Sequence, residues 1–493
     1  MKLTIKKAHI LVIIIGAIFI SLSIFHSNIW FDESYSVALA NHTFSEIWTI
    51  GGNDVHPILY YWLLHILQIV TGGSVLVYRI FSVIPIIILG ILGFTHIRKD
   101  FGEKEGLIFS LLTYFLPVTA VYANQIRMYS WAILSVTILA VYAYRIFKGK
   151  SSNKNLIIFG LSSLFSIYTH YYGLMTAGII NIMLLVYLII KKEKSSAGKI
   201  VLMGVVQLIT YIPWLINFAT QLKNVSGGFW IGFEFPKTII ELLSFVFLGD
   251  FINGNFGLYQ HIVFVLSVEL YIYLGVKLYK IGKEKIDIKS PVLSIIIYLT
   301  VILAALLITL VMKTSILYYR YLFVITGLFI FIMSFVLAKE KNKYILIITF
   351  LLIIILGTVN NIKMINDNYD SSNKEPMEYI KSNISKEDII VYSDIGVGAI
   401  ASCEIPQNDQ YFYNADNWNV EAAYKAFLPP MNVIRNEEFL KDVKGRIWLV
   451  GYSNNIYNLL FDKDEYKKIE EREFNTKYQN NYYKIILVEK VLN

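Results

Sequence analysis

Residues 28–67 read NIWFDESYSVALANHTFSEIWTIGGNDVHPILYYWLLHIL and hold two acidic groups. The first is the adjacent pair Asp32 and Glu33; the second is Asp54-x-His56, followed by Pro57. Both follow the first apolar run of the chain. Adjacent carboxylates at a membrane edge lose hydration and repel each other, so holding them there costs free energy. The plain alternative is a solvated interfacial loop. Two features weigh against it. Trp30, Phe31, Tyr35, Tyr60, Tyr61 and Trp62 flank the carboxylates and would hold the loop in the interface. The short spacing of the two acidic groups also lets them converge. Asp, Glu and His can serve as oxygen and nitrogen ligands, so a divalent metal shared by Asp54 and His56 is one reading. A substrate-binding or positioning role is the other.

The elements that must position these residues follow from composition. The chain has 493 residues, 56% hydrophobic and 16% charged, with a mean hydropathy of +0.55. A soluble chain carries about 25% charged residues. The composition excludes a soluble enzyme, a disordered chain and a fibrous repeat, and fits a polytopic membrane protein in a lipid bilayer. Apolar runs long enough to span a membrane, roughly 17–25 residues, lie at 8–26, 74–97, 106–123, 127–147, 155–171, 173–190, 199–219, 259–281, 290–312, 317–338 and 343–362. The first follows the basic start MKLTIKK and lacks a small-residue cleavage site, so it reads as a retained anchor. Shorter stretches at 56–71 and 238–249 read as interfacial.

The net charge of +8 is divided by this topology. Lys2, Lys6 and Lys7, then clusters around Arg98, Arg145–Lys154, Lys191–Lys199, Lys277–Lys289 and Lys339–Lys343, fall on one side. Intervening loops carry few basic residues. By the positive-inside rule the N-terminus is cytoplasmic and the tail lies outside the cytoplasmic membrane. The tail, 363–493, holds 16 Lys+Arg against 21 Asp+Glu, so no basic surface for nucleic acid is implied. It has β-type runs at Ile389–Tyr392, Ile447–Val450 and Lys484–Val488, and helical patterns near Pro376–Asn383 and Val420–Phe427. It reads as a small α/β domain beside a membrane domain at 1–362. Cys403, the single cysteine, cannot form an intrachain disulfide. No glycine-rich phosphate loop is present.

WFDESYSVALA followed by DVHPILYYWLLH resembles the first outer loop of the GT-C glycosyltransferases. The likeness is greatest to the family 39-like branch of protein O-mannosyltransferases and aminoarabinose transferases. NQIRMYSWA (124–132), THYYG (169–173) and YYRYLFV (318–324) are similar to further segments of that family, in the same order. The resemblance implies a GT-C fold of about eleven transmembrane helices with an outer α/β domain. It implies a hexosyl- or pentosyltransferase that moves a sugar from a polyprenyl-phosphate donor to a glycan, lipid or protein acceptor at the outer face, with inversion.

In that frame Asp32 occupies the position of the family's general base, and Glu33 would assist by binding acceptor or orienting Asp32. Arg127 and Arg320, at outer ends of spans, suit the donor phosphate because guanidinium donates bidentately. Lys313 is a third candidate for that phosphate. The alternative for each cation is snorkelling or pairing with a carboxylate. Asp54, His56, His170 and Tyr171 are candidate substrate contacts. No cofactor is definite, and a divalent metal stays open. Arg79 reads as a structural snorkeller and His65 as a core or interface residue. A ligase or polymerase of preassembled lipid-linked glycans would use similar outer charges. A transporter would instead place ionisable residues near span midpoints, which these are not.

Overall fold

The computed structural model of the protein describes residues 4–227, 230–249, 257–414, 421–428, 430–436, 443, 445–452, 457 and 466–490. The apolar runs form helices because lipid leaves their backbone groups no other partner. These are α1 (Ile5–Ser21), α5 (Val75–Asp100), α6 (Glu103–Phe115), α7 (Pro117–Asn124), α8 (Tyr129–Phe147), α9 (Asn153–Thr169), α10 (Tyr171–Ile190), α11 (Lys194–Ser226), α13 (Leu258–Lys283), α14 (Lys289–Met312), α15 (Thr326–Ala338) and α16 (Lys343–Tyr369). A 3-10 segment, Tyr319–Ile325, leads into α15, and together they form a span that is almost wholly buried. Among the described residues eight helical segments are long and apolar enough to cross a membrane, and nine if α6 and α7 count as one. Helices α1 and α9, each 17 residues, occupy two more of the apolar runs. The chain is a multi-pass helical membrane protein.

The run at 106–123 is not one straight span. It bends by 61° between α6 and α7. Pro117 lacks an N–H and pushes Leu116 out of helical conformation, to φ −66° and ψ 133°. Before the bend, Tyr114 is packed between two glycines. A Cβ on Gly16 or Gly90 would stand within 2.4 Å of its ring, so neither site admits a side chain without movement.

The chain divides into two compact units. The membrane unit comprises 1–24, 55–60 and 79–363. The second, here the mixed unit, joins 25–54 and 61–78 of the first loop to the tail from Met364. The sequence places a boundary near 363 but does not anticipate that loop segments 25–54 and 61–78 fold with the tail.

In the mixed unit, α2 (Phe31–Leu39) and α3 (Phe44–Gly51) come from the first loop. Thr43 and Glu46 cap each other's backbone N–H at the start of α3. Helix α4 spans Leu59–Thr71. Tail helices are α17 (Glu375–Asn383), α18 (Ile395–Glu404) and the single turn α19 (Glu421–Tyr424); Val420, the start of the expected helix there, lies outside the described residues. The strands are β1 (Ile389–Tyr392), β2 (Gln410–Tyr413), β3 (Asn432–Ile434), β4 (Ile447–Gly451), β5 (Tyr466–Asn475) and β6 (Tyr482–Lys490). Their order is β3-β2-β1-β4-β6-β5. The first four are parallel, while β6 and β5 run antiparallel at the edge. Strands β1 and β4 are buried at every position, as expected of central parallel strands. The remaining amphipathic stretch, 238–249, forms α12 (Lys237–Leu248).

Candidate active site

In the mixed unit, Asp32 and Glu33 lie in the first turn of α2, where the helix dipole favours negative charge. Successive helical residues point about 100° apart, and the pair diverges accordingly. Glu33 is fully buried, while Asp32 is half-buried. Tyr478 Oη donates to Glu33 Oε2 at 2.9 Å, and the Trp30 N–H donates to the same oxygen at 3.3 Å. Tyr478 is itself held by its own N–H, which donates to Asn373 Oδ1 at 2.8 Å, and its ring meets His26 at 5.3 Å. Gln479 and Asn480, the next two residues, take left-handed backbone with φ 58° and 51°. Glu33 is therefore an anchored carboxylate, and Asp32 is the one nearer the surface.

The rest of α2 is tied down as well. Cys403 Sγ on α18 approaches Ser34 O at 3.4 Å, and His42 Nε2 lies 2.8 Å from Ala426 O. Burial pushes the Cys403 thiol up to about 12, with Glu404 adding to the effect. Tyr61 Oη donates to Asp54 Oδ2 at 3.1 Å, and the Tyr61 ring meets Tyr35 of α2 edge-on at 5.8 Å. Asp54 is thus linked to α2 through two tyrosines. His65 Nδ1 contacts Ala40 O at 3.0 Å, and its ring packs on Phe44, which is the interface role expected of it.

In the membrane unit, a cavity of about 770 Å³ is lined by His56, His170, Tyr171, Tyr172, Gln221 and Tyr321, with apolar side chains completing it. His56 and His170 ring centroids are 5.4 Å apart, and Tyr321 meets them at 6.2 and 5.1 Å. Burial, then the positive charge of Arg127, holds the His56 imidazole well below its usual range; His170 and Arg320 act in the same sense. His56 is neutral at physiological pH. The Tyr172 N–H donates to His170 Nδ1 at 3.1 Å, which fixes the tautomer with the proton on Nε2. His170 Nε2 is buried and has no hydrogen-bond partner among the described residues. A buried donor lining a cavity is a group that a ligand oxygen would satisfy.

Arg127 and Arg320 are both buried, and Arg320 lies 5.4 Å from the centre of the Tyr318 ring. Tyr171 Oη bonds to Gln221 Oε1 and accepts from Trp214 Nε1 at 3.3 Å, while Gln221 Nε2 donates to the His56 carbonyl at 3.2 Å. Lys313 stands apart in character: it is exposed, in left-handed conformation at the end of α14. Arg79 is not a snorkeller. It is 1% exposed, and its Nη1 donates to the Asn124 carbonyl at 2.5 Å. The bend at Leu116–Pro117 shortens α7, which ends at Asn124 with carbonyls to satisfy, and Arg79 satisfies one.

The structure thus joins His56, His170, Arg127 and Arg320 in one unit, and Asp32, Glu33 and Asp54 in the other. Asp54 and His56 fall in different units. Among the described residues no group of three or more His, Cys, Asp or Glu is arranged to hold a metal ion. Tyr478, Asn373, Gln221 and Trp214 are absent from the sequence reading. Gln221 carries a faint signal, as an amide late in a long apolar helix; Tyr478 carries none. Tyr172 and Tyr321 sit inside the THYYG and YYRYLFV segments.

Residues 55–217 match the family model described as dolichyl-phosphate-mannose-protein mannosyltransferase. The resemblance seen in the sequence therefore holds over about a third of the chain, including His56, Arg127, His170 and Tyr171. Solved structures similar to this chain include ArnT from Cupriavidus metallidurans in the apo state, at 10% identity over 97% of each chain with a TM-score of 0.49. The same protein bound to undecaprenyl phosphate matches at 12% identity over 97% of each chain, TM-score 0.46. The Archaeoglobus fulgidus oligosaccharyltransferase in complex with Zn and sulfate matches at 11% identity, TM-score 0.48, over 96% of this chain and 72% of that one. No curated protein matches the chain.

Proposed function

We propose that the protein is a membrane glycosyltransferase that moves a sugar from a polyprenyl phosphate to an acceptor on the side away from its lysine clusters. One observation carries this reading. The matched segment 55–217 supplies His56, Arg127, His170 and Tyr171, and three of these line the cavity, whose His56 is acted on by Arg127 and Arg320. Two guanidinium groups within electrostatic reach of a cavity-lining residue suit a phosphate leaving group.

The reaction in this reading is a single displacement. An acceptor oxygen attacks the anomeric carbon as the bond from that carbon to the phosphate oxygen breaks. The electron pair leaves with the polyprenyl phosphate, whose charge Arg127 and Arg320 stabilise. The acceptor proton goes to Asp32, the less buried of the paired carboxylates. His170 Nε2–H would donate to a sugar hydroxyl or a phosphate oxygen. Glu33, held by Trp30 and Tyr478, orients α2 and leaves the proton to Asp32. Asp54 and Tyr61 steady the same loop. Inversion at the anomeric carbon follows from one displacement.

The test is transfer of labelled sugar from a panel of polyprenyl-phosphate hexoses and pentoses, using the purified full chain in lipid with cell-envelope acceptors. Formation of a labelled glycoconjugate supports the reading, and the Arg320→Ala variant should lose it. Transfer of preassembled oligosaccharides but not single sugars would replace the reading with a glycan ligase. Protease accessibility of the tail in sealed vesicles tests the orientation, with the N-terminus on the basic side.

A further inference from the structure

A second cavity, about 890 Å³, lies within the membrane unit at the opposite ends of the helices that carry the candidate site. Arg127 lies two residues before α8 and His170 immediately precedes α10, whereas Phe147 and Tyr187, which line this second cavity, lie toward the far ends of those helices. At 1.5 Å per residue the two regions are separated by roughly 25 Å. The inner wall is apolar, built from Leu184, Ile297, Leu328 and Phe331.

The mouth has a different character. Phe147 and Tyr187 pack with ring centroids 4.2 Å apart. Lys148 Nζ stands 5.7 Å from the Tyr144 ring and Lys191 Nζ 6.0 Å from the Tyr187 ring. Lys289 is exposed beside Ser290. The carboxylates at this end are engaged with some of these cations: Asp287 pairs with Lys148, and Asp100 with Arg145 and Lys150. Lys191, Lys192, Lys285 and Lys289 outnumber Glu193 and Glu284 in the same loops, leaving a net positive charge. Ser290 lines the cavity at 7% exposure, and its Oγ has no hydrogen-bond partner among the described residues. A serine hydroxyl normally finds a partner when buried, so this one points to a ligand acceptor.

An apolar crevice, one unsatisfied hydroxyl at its mouth and a cationic rim with interfacial tyrosines match the parts of a phospholipid in order. We propose that this crevice binds one anionic diacyl phospholipid of the leaflet at the basic end. One acyl chain enters the cavity, a glycerol-ester oxygen accepts from Ser290 Oγ, and the phosphate lies by Lys191 and Lys289. The separation from Arg127 makes this a lipid distinct from any bound at the candidate active site.

The experiment uses the delipidated full chain and native mass spectrometry with added phosphatidylglycerol, phosphatidylcholine or polyprenyl phosphate. One phosphatidylglycerol should be retained per chain, with phosphatidylcholine bound about tenfold more weakly. Ala140→Trp, which fills the crevice, should cut phosphatidylglycerol retention by about tenfold. The pair Lys191→Glu and Lys289→Glu should abolish the preference for the anionic lipid. A photoreactive benzoylphenylalanine at Phe147 should crosslink phosphatidylglycerol, a readout that survives if Ala140→Trp misfolds. Equal retention by wild type and a folded Ala140→Trp overturns the proposal. So does crosslinking of Phe147 to polyprenyl phosphate in preference to phosphatidylglycerol, or to no lipid.

Discussion

In the membrane unit the charged groups of the candidate site stand among aromatic rings; in the mixed unit they are tied by hydrogen bonds to backbone and hydroxyls. Arg320 rests against Tyr318, and His56 and His170 meet Tyr321. Glu33 is held by the Trp30 N–H and Tyr478 Oη, and Asp54 by Tyr61 Oη. A buried cation gains from a polarisable ring face beside it. A carboxylate is fixed in place by the donors that reach it, as Glu33 and Asp54 are. Ring faces thus surround the cations and imidazoles of the membrane unit, while hydrogen-bond donors fix the carboxylates of the mixed unit.

Removing the charge on each side should break this division most visibly. Asp32→Asn should lower transfer by at least about 10³-fold, since it removes the proton acceptor, with expression and membrane insertion unchanged. Arg320→Ala should cost about 10²-fold or more, the scale of losing one charge-stabilising donor. Its loss should appear as poorer use of the lipid donor, measured by varying donor at fixed acceptor. Lys313→Ala serves as the control. That side chain is exposed, so activity should stay within about twofold and stability within about 0.5 kcal/mol. An Arg320→Ala enzyme with full donor affinity would remove the phosphate assignment.

Tyr478→Phe probes the other half of the comparison. It takes one of two described donors from a fully buried carboxylate, and a hydrogen bond to a charged group is worth about 1.5–3 kcal/mol. The melting temperature should fall by several degrees, and transfer should fall less than in Asp32→Asn. Glu33→Gln, which keeps an acceptor oxygen, should recover part of the stability. A melting temperature unchanged in Tyr478→Phe would mean that the tail does not brace α2.

The spans were legible because apolar runs of that length have few alternatives, and Arg127, His170 and Arg320 were legible as cations or donors set at span ends. The bend at Leu116–Pro117 was present in the sequence as a proline inside an apolar run, yet 106–123 reads as one span because hydropathy ignores the missing N–H. Arg79 reads as a snorkeller for the same reason: its partner is a carbonyl that the bend exposes, and no side chain announces it. In the tail, Ile389–Tyr392 matches β1 end for end because a central parallel strand is apolar throughout. Strand β5, YKKIEEREFN, is an edge strand whose charges hide its alternation. The folding of 25–54 with the tail rests on pairs such as His42 with Ala426 and Glu33 with Tyr478, separated by hundreds of residues. No local pattern encodes them.

His56 gives the smallest and most specific test. Its folded pKa is depressed by burial and by Arg127, while its unfolded pKa is near about 6.5. Below that pH the unfolded chain takes up a proton that the folded chain refuses. The stability contributed by neutral His56 is therefore fully present above pH 6.5 and is lost as pH falls below it. The limiting slope is about 1.4 kcal/mol per pH unit for one such histidine. Melting temperature measured in detergent from pH 7.5 to 5 should fall along this limb, and His56→Gln should flatten it in part. Lipid-donor binding supplies the sharper readout. A polyprenyl phosphate seated near Arg127 and Arg320 would offset their effect on the ring and raise the His56 pKa. Stability should then fall less as pH drops below about 6.5 with donor present than without. If donor leaves the limb where it is, the phosphate does not sit beside His56, whatever the activity of the arginine variants.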